Sequence, residues 1–206
     1  LSPDLVSYNA LVTLHGNLRD PESAVRSMNE MRLIGIDPDI RIWTTLMNAY
    51  VEAGVWERAI EIYQYLDTHD DILMRPDIAA VNTLLKANIL VATPAQSILA
   101  IFRQTIAKGL RPNVQTYTLV MQSLCSAGLM ELAEDLFTMM DHPNDQASPL
   151  PASTTVVQPD GFIFSILLQG YLHLGDTRRA RACLLEMKAR GIQPSSITYG
   201  IIVGSY

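Results

Sequence analysis

Residues 5–39, LVSYNALVTLHGNLRDPESAVRSMNEMRLIGIDPD, form a unit that recurs along the chain. The unit ends in a proline followed by a polar residue, and the same pair closes each later copy. The pairs are Pro3-Asp4, Pro38-Asp39, Pro76-Asp77, Pro112-Asn113, Pro159-Asp160 and Pro194-Ser195. The prolines are separated by steps of 35, 38, 36, 47 and 35 residues. A period near 35 residues, lengthened at two steps, predicts a stack of repeated structural units.

Other residues hold a fixed place within the period. The position five residues after the proline is aromatic in five copies, at Tyr8, Trp43, Tyr117, Phe164 and Tyr199. In the remaining copy it is Val81. A glycine precedes an alanine by five residues at Gly54/Ala59, Gly128/Ala133 and Gly175/Ala180. A large apolar residue follows that alanine, or Ala24, by seven residues at Met31, Leu66, Met140 and Met187. Several independent markers in phase indicate one repeated fold unit.

Each period is predicted to contain two helices. In the first repeat, Asp4 suits the N-cap of the first helix, because its carboxylate accepts hydrogen bonds from free backbone amides. Pro21 suits the opening turn of the second helix. Apolar residues follow at helical spacing at Ala24, Val25, Met28, Met31 and Leu33. Gly35 then ends this helix and Pro38 prevents its continuation.

The pattern therefore predicts an all-α fold, a right-handed superhelical solenoid of antiparallel helical hairpins with one concave face. We expect a single solenoid that is part of a longer array, because the chain opens and closes within a repeat. The predicted repeats span 5–39, 40–77, 78–113, 114–160 and 161–195, with a partial sixth at 196–206. The fourth carries an insertion within 142–157, whose polar, proline-containing sequence predicts a surface loop.

Composition and charge restrict the chemistry. The net charge of −6 disfavours extensive neutralisation of nucleic-acid phosphates, although a local basic stripe can lie on an acidic body. Cys125 and Cys183 have no metal-ligand spacing and are expected to be small buried hydrophobic residues. No Gly-rich phosphate loop, catalytic constellation or membrane-spanning run occurs, and the four histidines are scattered. We expect no enzyme activity, no cofactor, no metal and no small-molecule substrate.

Two stretches of the chain closely resemble the pentatricopeptide repeat (PPR). They are VSYNALV together with SAVRSMNEMRLIGIDPD in the first repeat, and VQTYTLVMQSLCSAGLMELAEDLFTMM in the fourth. The resemblance covers nearly the whole chain outside the insertion. The tetratricopeptide repeat is one residue shorter and favours a Trp-x-x-Leu-Gly start that is absent here. PPR proteins bind single-stranded RNA in mitochondria or plastids, one base per repeat. The resemblance therefore implies a mitochondrial, non-catalytic role in RNA stabilisation, processing or translation.

The resemblance also implies which residues recognise bases. In the family, the residue after the aromatic position pairs with the last residue of the repeat. The implied pairs are Asn9 with Asp39, Thr44 with Asp77, Asn82 with Asn113, Thr118 with Asp160, and Ser165 with Ser195. Together they imply the RNA U-G-pyrimidine-G-any, with its 5′ side at the N-terminal end of the chain. The residues implied to sandwich the bases are Val6, Arg41, Ala79, Gln115, Phe162 and Ile197.

These positions also have an explanation without RNA. The last residue of each repeat is a favoured N-cap type for the next helix. The five residues after the aromatic position are expected to be small polar residues on a solvent-facing helix surface. Ala79 and Gln115 are weak apolar clamps. The family often has a lysine two residues before the glycine between the helices, but the matching positions hold Asn17, Glu52, Leu90, Ser126 and His173. A protein-interaction scaffold in a mitochondrial ribosome or translation-activator complex, contacting ribosomal or translation-factor proteins, is therefore the alternative.

Overall fold

The computed structural model describes residues 4–69, 74–141 and 157–204, and every regular element in those ranges is a helix. The helices are α1 Leu5–Asn17, α2 Pro21–Leu33, α3 Ile40–Glu52, α4 Trp56–Thr68, α5 Ile78–Leu90, α6 Ala95–Ala107, α7 Val114–Ser126, α8 Met130–Asp141, α9 Gly161–His173, α10 Thr177–Ala189 and α11 Ser196–Gly204. The predicted all-α class is confirmed. The predicted insertion lies outside the described residues, except for Val157, whose amide donates to the Met140 carbonyl.

The helices form two compact units, residues 1–93 and 94–206. In the first unit, α1 packs on α2 and α3, and α3 packs on α4 and α5. In the second unit, α7 packs on α6, α8 and α9, while α9 also contacts α10 and α11. We call α1, α3, α5, α7, α9 and α11 the first helices, since each follows a Pro-polar pair. The remaining helices are the second helices.

Side chains that accept backbone hydrogen bonds fix where the first helices begin. Asp4, Asp39 and Asp77 accept from the amides three residues later, as Asn113 does at α7. Asp160 accepts from two amides, those of Phe162 and Ile163, at 3.0 Å each. Each side chain satisfies an amide that has no partner within the helix. The Pro-polar pair is thus a helix start, as the sequence predicted at Asp4.

The turns between first and second helices share one backbone geometry. Gly54, Gly128 and Gly175 adopt φ values of +80, +73 and +74°, which glycine tolerates because it lacks a Cβ atom. The next residue then donates back to the helix, as in Val55 N to Tyr50 O at 2.9 Å. This is the Schellman arrangement of helix ends. In the first and third repeats the same place is taken by Arg19 and Ala92, at φ +56 and +61°.

The recurring apolar positions form the core. The alanines of the second helices and the large residues seven positions later are buried, with exposures of 0–3% at Ala24, Ala59, Ala133, Ala180, Met31, Leu66, Met140 and Met187. Ile98 and Thr105 occupy these places in α6 and are buried too. The aromatic position is buried in five first helices, whereas Tyr199 of α11 is 58% exposed. Both cysteines are buried as expected.

Candidate nucleic-acid interface

The second residue of each first helix is exposed to solvent. These are the six residues that the resemblance implied to sandwich bases, namely Val6, Arg41, Ala79, Gln115, Phe162 and Ile197. Val6, Phe162 and Ile197 are large apolar side chains that remain 73, 47 and 56% exposed. Since folding ordinarily removes such surface from water, a row of them beside polar groups is a candidate contact surface.

The residues after the aromatic position do not all face solvent, and that expectation is wrong for three of them. Thr44, Asn82 and Ser165 are only 7, 4 and 3% exposed, while Asn9 and Thr118 are half-buried. The reason is tertiary packing: Thr44 lies on α3, which contacts both α1 and α5, and Ser165 lies on α9, between α7 and α11. The neighbouring first helices cover a surface that is solvent-facing in an isolated hairpin.

Among the residues after the aromatic position, the threonine hydroxyl groups donate hydrogen bonds within their own helices. The Thr44 hydroxyl donates to the Ile40 carbonyl at 2.8 Å, and the Thr118 hydroxyl donates to the Val114 carbonyl at the same distance. Each O–H is therefore in use, and the hydroxyl oxygen retains its acceptor capacity. A group that approaches Thr44 or Thr118 from outside would have to donate a hydrogen bond.

The structure brings one of the implied pairs together through a third residue. The Ser165 hydroxyl lies 3.0 Å from the Thr198 hydroxyl and donates to the Gly161 carbonyl at 2.9 Å. The Thr198 hydroxyl accepts from the Ser195 amide at 3.1 Å and lies 3.3 Å from the Ser195 hydroxyl. Ser165 and Ser195 thus belong to one network whose centre, Thr198, is completely buried. The sequence reasoning did not identify Thr198.

The first helices carry few charged side chains. No Asp, Glu, Lys or Arg occurs in α1, α7, α9 or α11, and the other first helices hold only Arg41, Glu52 and Lys86. Lys86 Nζ lies 2.7 Å from Glu52 Oε1, and Arg41 Nε lies 3.1 Å from Asp39 Oδ2. The hydrogen bond and charge of Lys86 lower the pKa of Glu52. The candidate surface is thus polar and apolar, with little net charge.

Two of the cavities beside α9, in the described part of the second unit, bear on this surface. One, of about 320 Å³, lies between α7, α9 and α11, and its walls include Phe162, Ile197 and Ser165. The other, of about 480 Å³, lies along α8, α9 and α10, and ion pairs Arg179–Glu134 and Arg190–Asp141 join the helices beside it. Although the second is larger, the first contains the residues implied to contact RNA, and we take it as part of the candidate interface.

Models of the PPR family match the chain in four places. A model described as a pentatricopeptide repeat domain matches residues 1–53, models described as a PPR repeat match 41–69 and 108–141, and one described as a PPR repeat family matches 159–206. The chain belongs to the pentatricopeptide repeat family.

Relatives of this PPR chain occur in Arabidopsis thaliana. A chloroplastic PPR-containing protein is 26% identical over 82% of the chain and 20% of its own length. A second is 24% identical over 99% of the chain and 34% of its own length. A mitochondrial one is 23% identical over 70% of the chain and 33% of its own length. The chain thus spans between a fifth and about a third of the length of these relatives.

Solved PPR structures share the fold. Maize PPR10 superposes with a TM-score of 0.75 at 21% identity, over 99% of this chain and 27% of that protein. PPR10 in complex with an 18-nt psaJ RNA element superposes with a TM-score of 0.74 at 21% identity, over 100% of this chain and 28% of that protein. The PPR domain of Arabidopsis thaliana protein-only RNase P 1, in complex with tRNA, gives 0.70 at 16% identity, over 94% of each chain.

The described residues of this PPR chain contain no group of three or more His, Cys, Asp and Glu side chains placed to hold a metal ion. None of the helices in the described ranges is both long and apolar enough to cross a bilayer.

A polar row that the sequence reasoning missed lies one helical turn beyond the residues implied to recognise bases. Its members are Thr13, Asn48, Lys86, Gln122 and Gln169, the ninth residues of five PPR first helices. The sequence could have indicated this row, because each member follows a residue implied to recognise a base by four positions, and residues four apart share a helix face.

Proposed function

We propose that this chain binds single-stranded RNA through its first helices, without catalysing a reaction. We further propose that it acts in mitochondrial RNA stabilisation, processing or translation. The observation that carries the proposal is the row of exposed second residues beside polar side chains that can recognise base edges. Solved PPR proteins with RNA bound support it, as does the mitochondrial relative, although other relatives are chloroplastic.

Stacking is the first source of affinity in this proposal. Phe162 and Ile197 present large exposed apolar side chains at the same place on the neighbouring helices α9 and α11. An unpaired base would stack between them. Stacking on an aromatic side chain contributes about 1–3 kcal/mol per base in single-strand binding. Arg41 is exposed and offers a planar guanidinium on which a base can also stack. Ala79 and Gln115 offer less surface, so we expect weaker stacking in their part of the chain.

Hydrogen bonding to the base edge is the second source, and the observed geometry favours particular bases. The Thr44 hydroxyl already donates its hydrogen, so it can only accept, and the carboxylate of Asp77 is an acceptor too. Two acceptors match guanine, whose Watson–Crick edge presents neighbouring N–H donors. Thr118 with Asp160 repeats this arrangement. Asn9 adds an amide donor to the acceptor Asp39, which matches uracil.

A protein-interaction scaffold, in a mitochondrial ribosome or translation-activator complex, is the alternative function. The observation that favours it is the sparse positive charge of the first helices, where Lys86 is already paired with Glu52. RNA affinity usually depends on phosphate neutralisation. Stacking on the exposed apolar side chains does not require phosphate neutralisation, and neither does hydrogen bonding to base edges. RNA is therefore the better candidate.

Substitution of the implied base-recognising residues tests the proposal. Asn9→Ala and Thr44→Ala should each weaken binding to a U-G-U-G RNA several-fold more than binding to a scrambled RNA, measured by fluorescence anisotropy. Thr138→Ala, at an exposed position of the second helix α8, is the matched control and should change the discrimination little. Equal losses on both RNAs would contradict base recognition. A protein partner whose binding survives Asn9→Ala and Thr44→Ala, in the absence of RNA binding, would favour the scaffold.

A further inference from the structure

The ion pair between Glu52 and Lys86 joins two neighbouring first helices on the surface proposed to bind RNA. Lys86 Nζ of α5 lies 2.7 Å from Glu52 Oε1 of α3, and the two helices pack on each other. Lys86 follows Asn82 by four residues, so it lies on the same face of α5 and about 6 Å farther along the helix axis. The Lys86 and Glu52 side chains remain 43 and 49% exposed. The pair is therefore accessible and lies beside a residue implied to recognise a base.

The stability of the fold does not explain this pair well. Exposed ion pairs contribute little to the free energy of unfolding, because water and salt screen their charges. The same two helices are joined elsewhere, for example where the Thr83 hydroxyl lies 3.0 Å from Asn48 Oδ1. The pair between Glu52 and Lys86 therefore matters more for the charge of the surface than for the stability of the chain.

Glu52 cancels one of the two positive charges that the first helices carry. The other belongs to Arg41, which is paired with Asp39 at 3.1 Å. A paired ammonium presents no net charge to a phosphate, and the carboxylate beside it repels one. The hydrogen bond and charge of Lys86 lower the pKa of Glu52, and the charge of Arg19 adds a smaller effect in the same direction. Glu52 is therefore ionised at neutral pH.

We propose that Glu52 restricts sequence-independent RNA binding by neutralising Lys86. The inference rests on the RNA-binding function proposed above. A free lysine on this surface would bind the phosphates of any RNA, because a phosphate contact carries no information about the base sequence. With Lys86 neutralised, affinity depends on stacking and on contacts to base edges. An RNA that cannot make those contacts then binds weakly, although Glu52 itself contacts no base.

Removal of the Glu52 carboxylate tests this inference. Glu52→Gln keeps the length of the side chain and leaves Lys86 free to contact a phosphate. One phosphate contact adds about 0.7 to the slope of log affinity against log salt for a single strand. In anisotropy titrations with the U-G-U-G RNA and the scrambled RNA, we expect Glu52→Gln to raise this slope by about 0.7 for both. Both should bind about fivefold more tightly than to the parent at about 0.1 M salt, with a gain that vanishes towards about 1 M. The ratio of the two affinities should stay unchanged.

Further variants show whether Lys86 provides the gain. In the Glu52→Gln chain, Lys86→Met should remove most of the gain. Lys86→Met alone should weaken the binding of both RNAs, because Glu52 then faces the phosphates without a partner. Glu30→Gln makes the same charge change at an exposed position of the second helix α2 and is the matched control. It should change either affinity by less than about twofold, because salt screens distant charges.

The outcomes separate this inference from the general function. Unchanged affinity and an unchanged salt slope in Glu52→Gln would overturn the inference, as would an equal gain in Glu30→Gln. In either case, tighter binding of the U-G-U-G RNA than of the scrambled RNA would leave the general function intact. Failure of both the parent and Glu52→Gln to bind either RNA would overturn the general function and the inference together.

Discussion

At the scale of single residues, the five turns between first and second helices differ in backbone strain: two are strained and three are not. Glycine occupies the left-handed position in the turns at 54, 128 and 175, whereas Arg19 and Ala92 adopt φ values of +56 and +61° with a Cβ atom present. The Cβ atom then lies too close to the following carbonyl oxygen, at a cost of about 1–2 kcal/mol per residue. The helix-end hydrogen bonds are nonetheless formed, as in Thr93 N to Asn88 O at 2.9 Å.

Replacement of Ala92 by glycine should therefore stabilise the chain. The removal of the Cβ clash outweighs the extra entropy of glycine in the unfolded state, and we expect a gain of about 0.5–1 kcal/mol in the free energy of unfolding. Urea-induced unfolding followed by circular dichroism would measure it. Ala53→Gly is the matched control and should destabilise, because Ala53 has φ −78° and only the entropic cost applies. A loss of stability in Ala92→Gly would contradict the interpretation.

The two cysteines should be inert in the folded protein. Burial raises the pKa of both the Cys125 and the Cys183 thiol to about 12, because the thiolate is poorly solvated there. A disulfide reagent should thus label neither thiol rapidly at pH 8, and both should react once urea unfolds the chain. Since the unfolded thiols ionise first, stability should fall as the pH rises above the ordinary thiol pKa. Rapid labelling of the native protein would contradict the assigned burial.

Which residues form the core could be predicted, but the surroundings of the polar row could not. Met31, Leu66, Met140 and Met187 are buried as their periodic position predicts. The prediction that Thr44, Asn82 and Ser165 face solvent was wrong, because period alone does not show that neighbouring first helices cover them. For the same reason the role of Thr198 could not be inferred, since its partner Ser165 is 33 residues away. The base-recognising role of these residues stays a prediction.

At the scale of helices, capping and the proposed base recognition can be separated at one side chain, Asp77. Asp77 begins α5 by accepting from the Ala80 amide at 2.9 Å through Oδ1, and the proposed function also assigns it to a base. N-cap preference therefore explains aspartate here without RNA. Helix starts of this kind were accessible from the sequence because capping is local. The proposed base recognition would also involve the neighbouring helix, and only the family resemblance suggested it.

Asp77→Asn should separate capping from recognition. Asparagine caps helices as well as aspartate does, so the free energy of unfolding should change by less than about 0.5 kcal/mol. The amide replaces one acceptor oxygen by a donor, so preference for guanine at the second base should fall several-fold in anisotropy titrations. Asp77→Ala should lose both the preference and about 1 kcal/mol of stability. Unchanged base preference in both variants would restrict Asp77 to capping.

The alanine positions of the second helices should tolerate no large side chain. Ala133 of α8 is completely buried, and α8 packs against both α7 and α9. Ala133→Leu should therefore overpack the contact and cost about 1–3 kcal/mol of unfolding free energy. Ala182→Leu, at an exposed position of α10, is the control and should change stability by less than about 0.5 kcal/mol. Equal effects of the two substitutions in urea unfolding would contradict this packing.

At the scale of the whole molecule, charge is distributed unevenly between the two classes of helix. The chain has a net charge of −6, yet its first helices contain only Arg41, Glu52 and Lys86 as charged residues. The second helices hold most of the remainder, for example three arginines in α10. If RNA lies on the first helices, as proposed, its phosphates meet few cations. Affinity should then come from stacking and base-edge hydrogen bonds, and specificity should survive at high salt.

The most direct measurement is the affinity of the chain for a U-G-U-G RNA and a scrambled RNA across a range of salt concentrations. Each phosphate contact in single-stranded RNA contributes about 0.7 to the slope of log affinity against log salt. With Arg41 and Lys86 as the cations of the first helices, we predict tighter binding of the matched RNA and a slope no steeper than about 1.4. Equal binding of the two RNAs, a slope of about 4 or more, or no binding at low salt would contradict RNA recognition by the first helices.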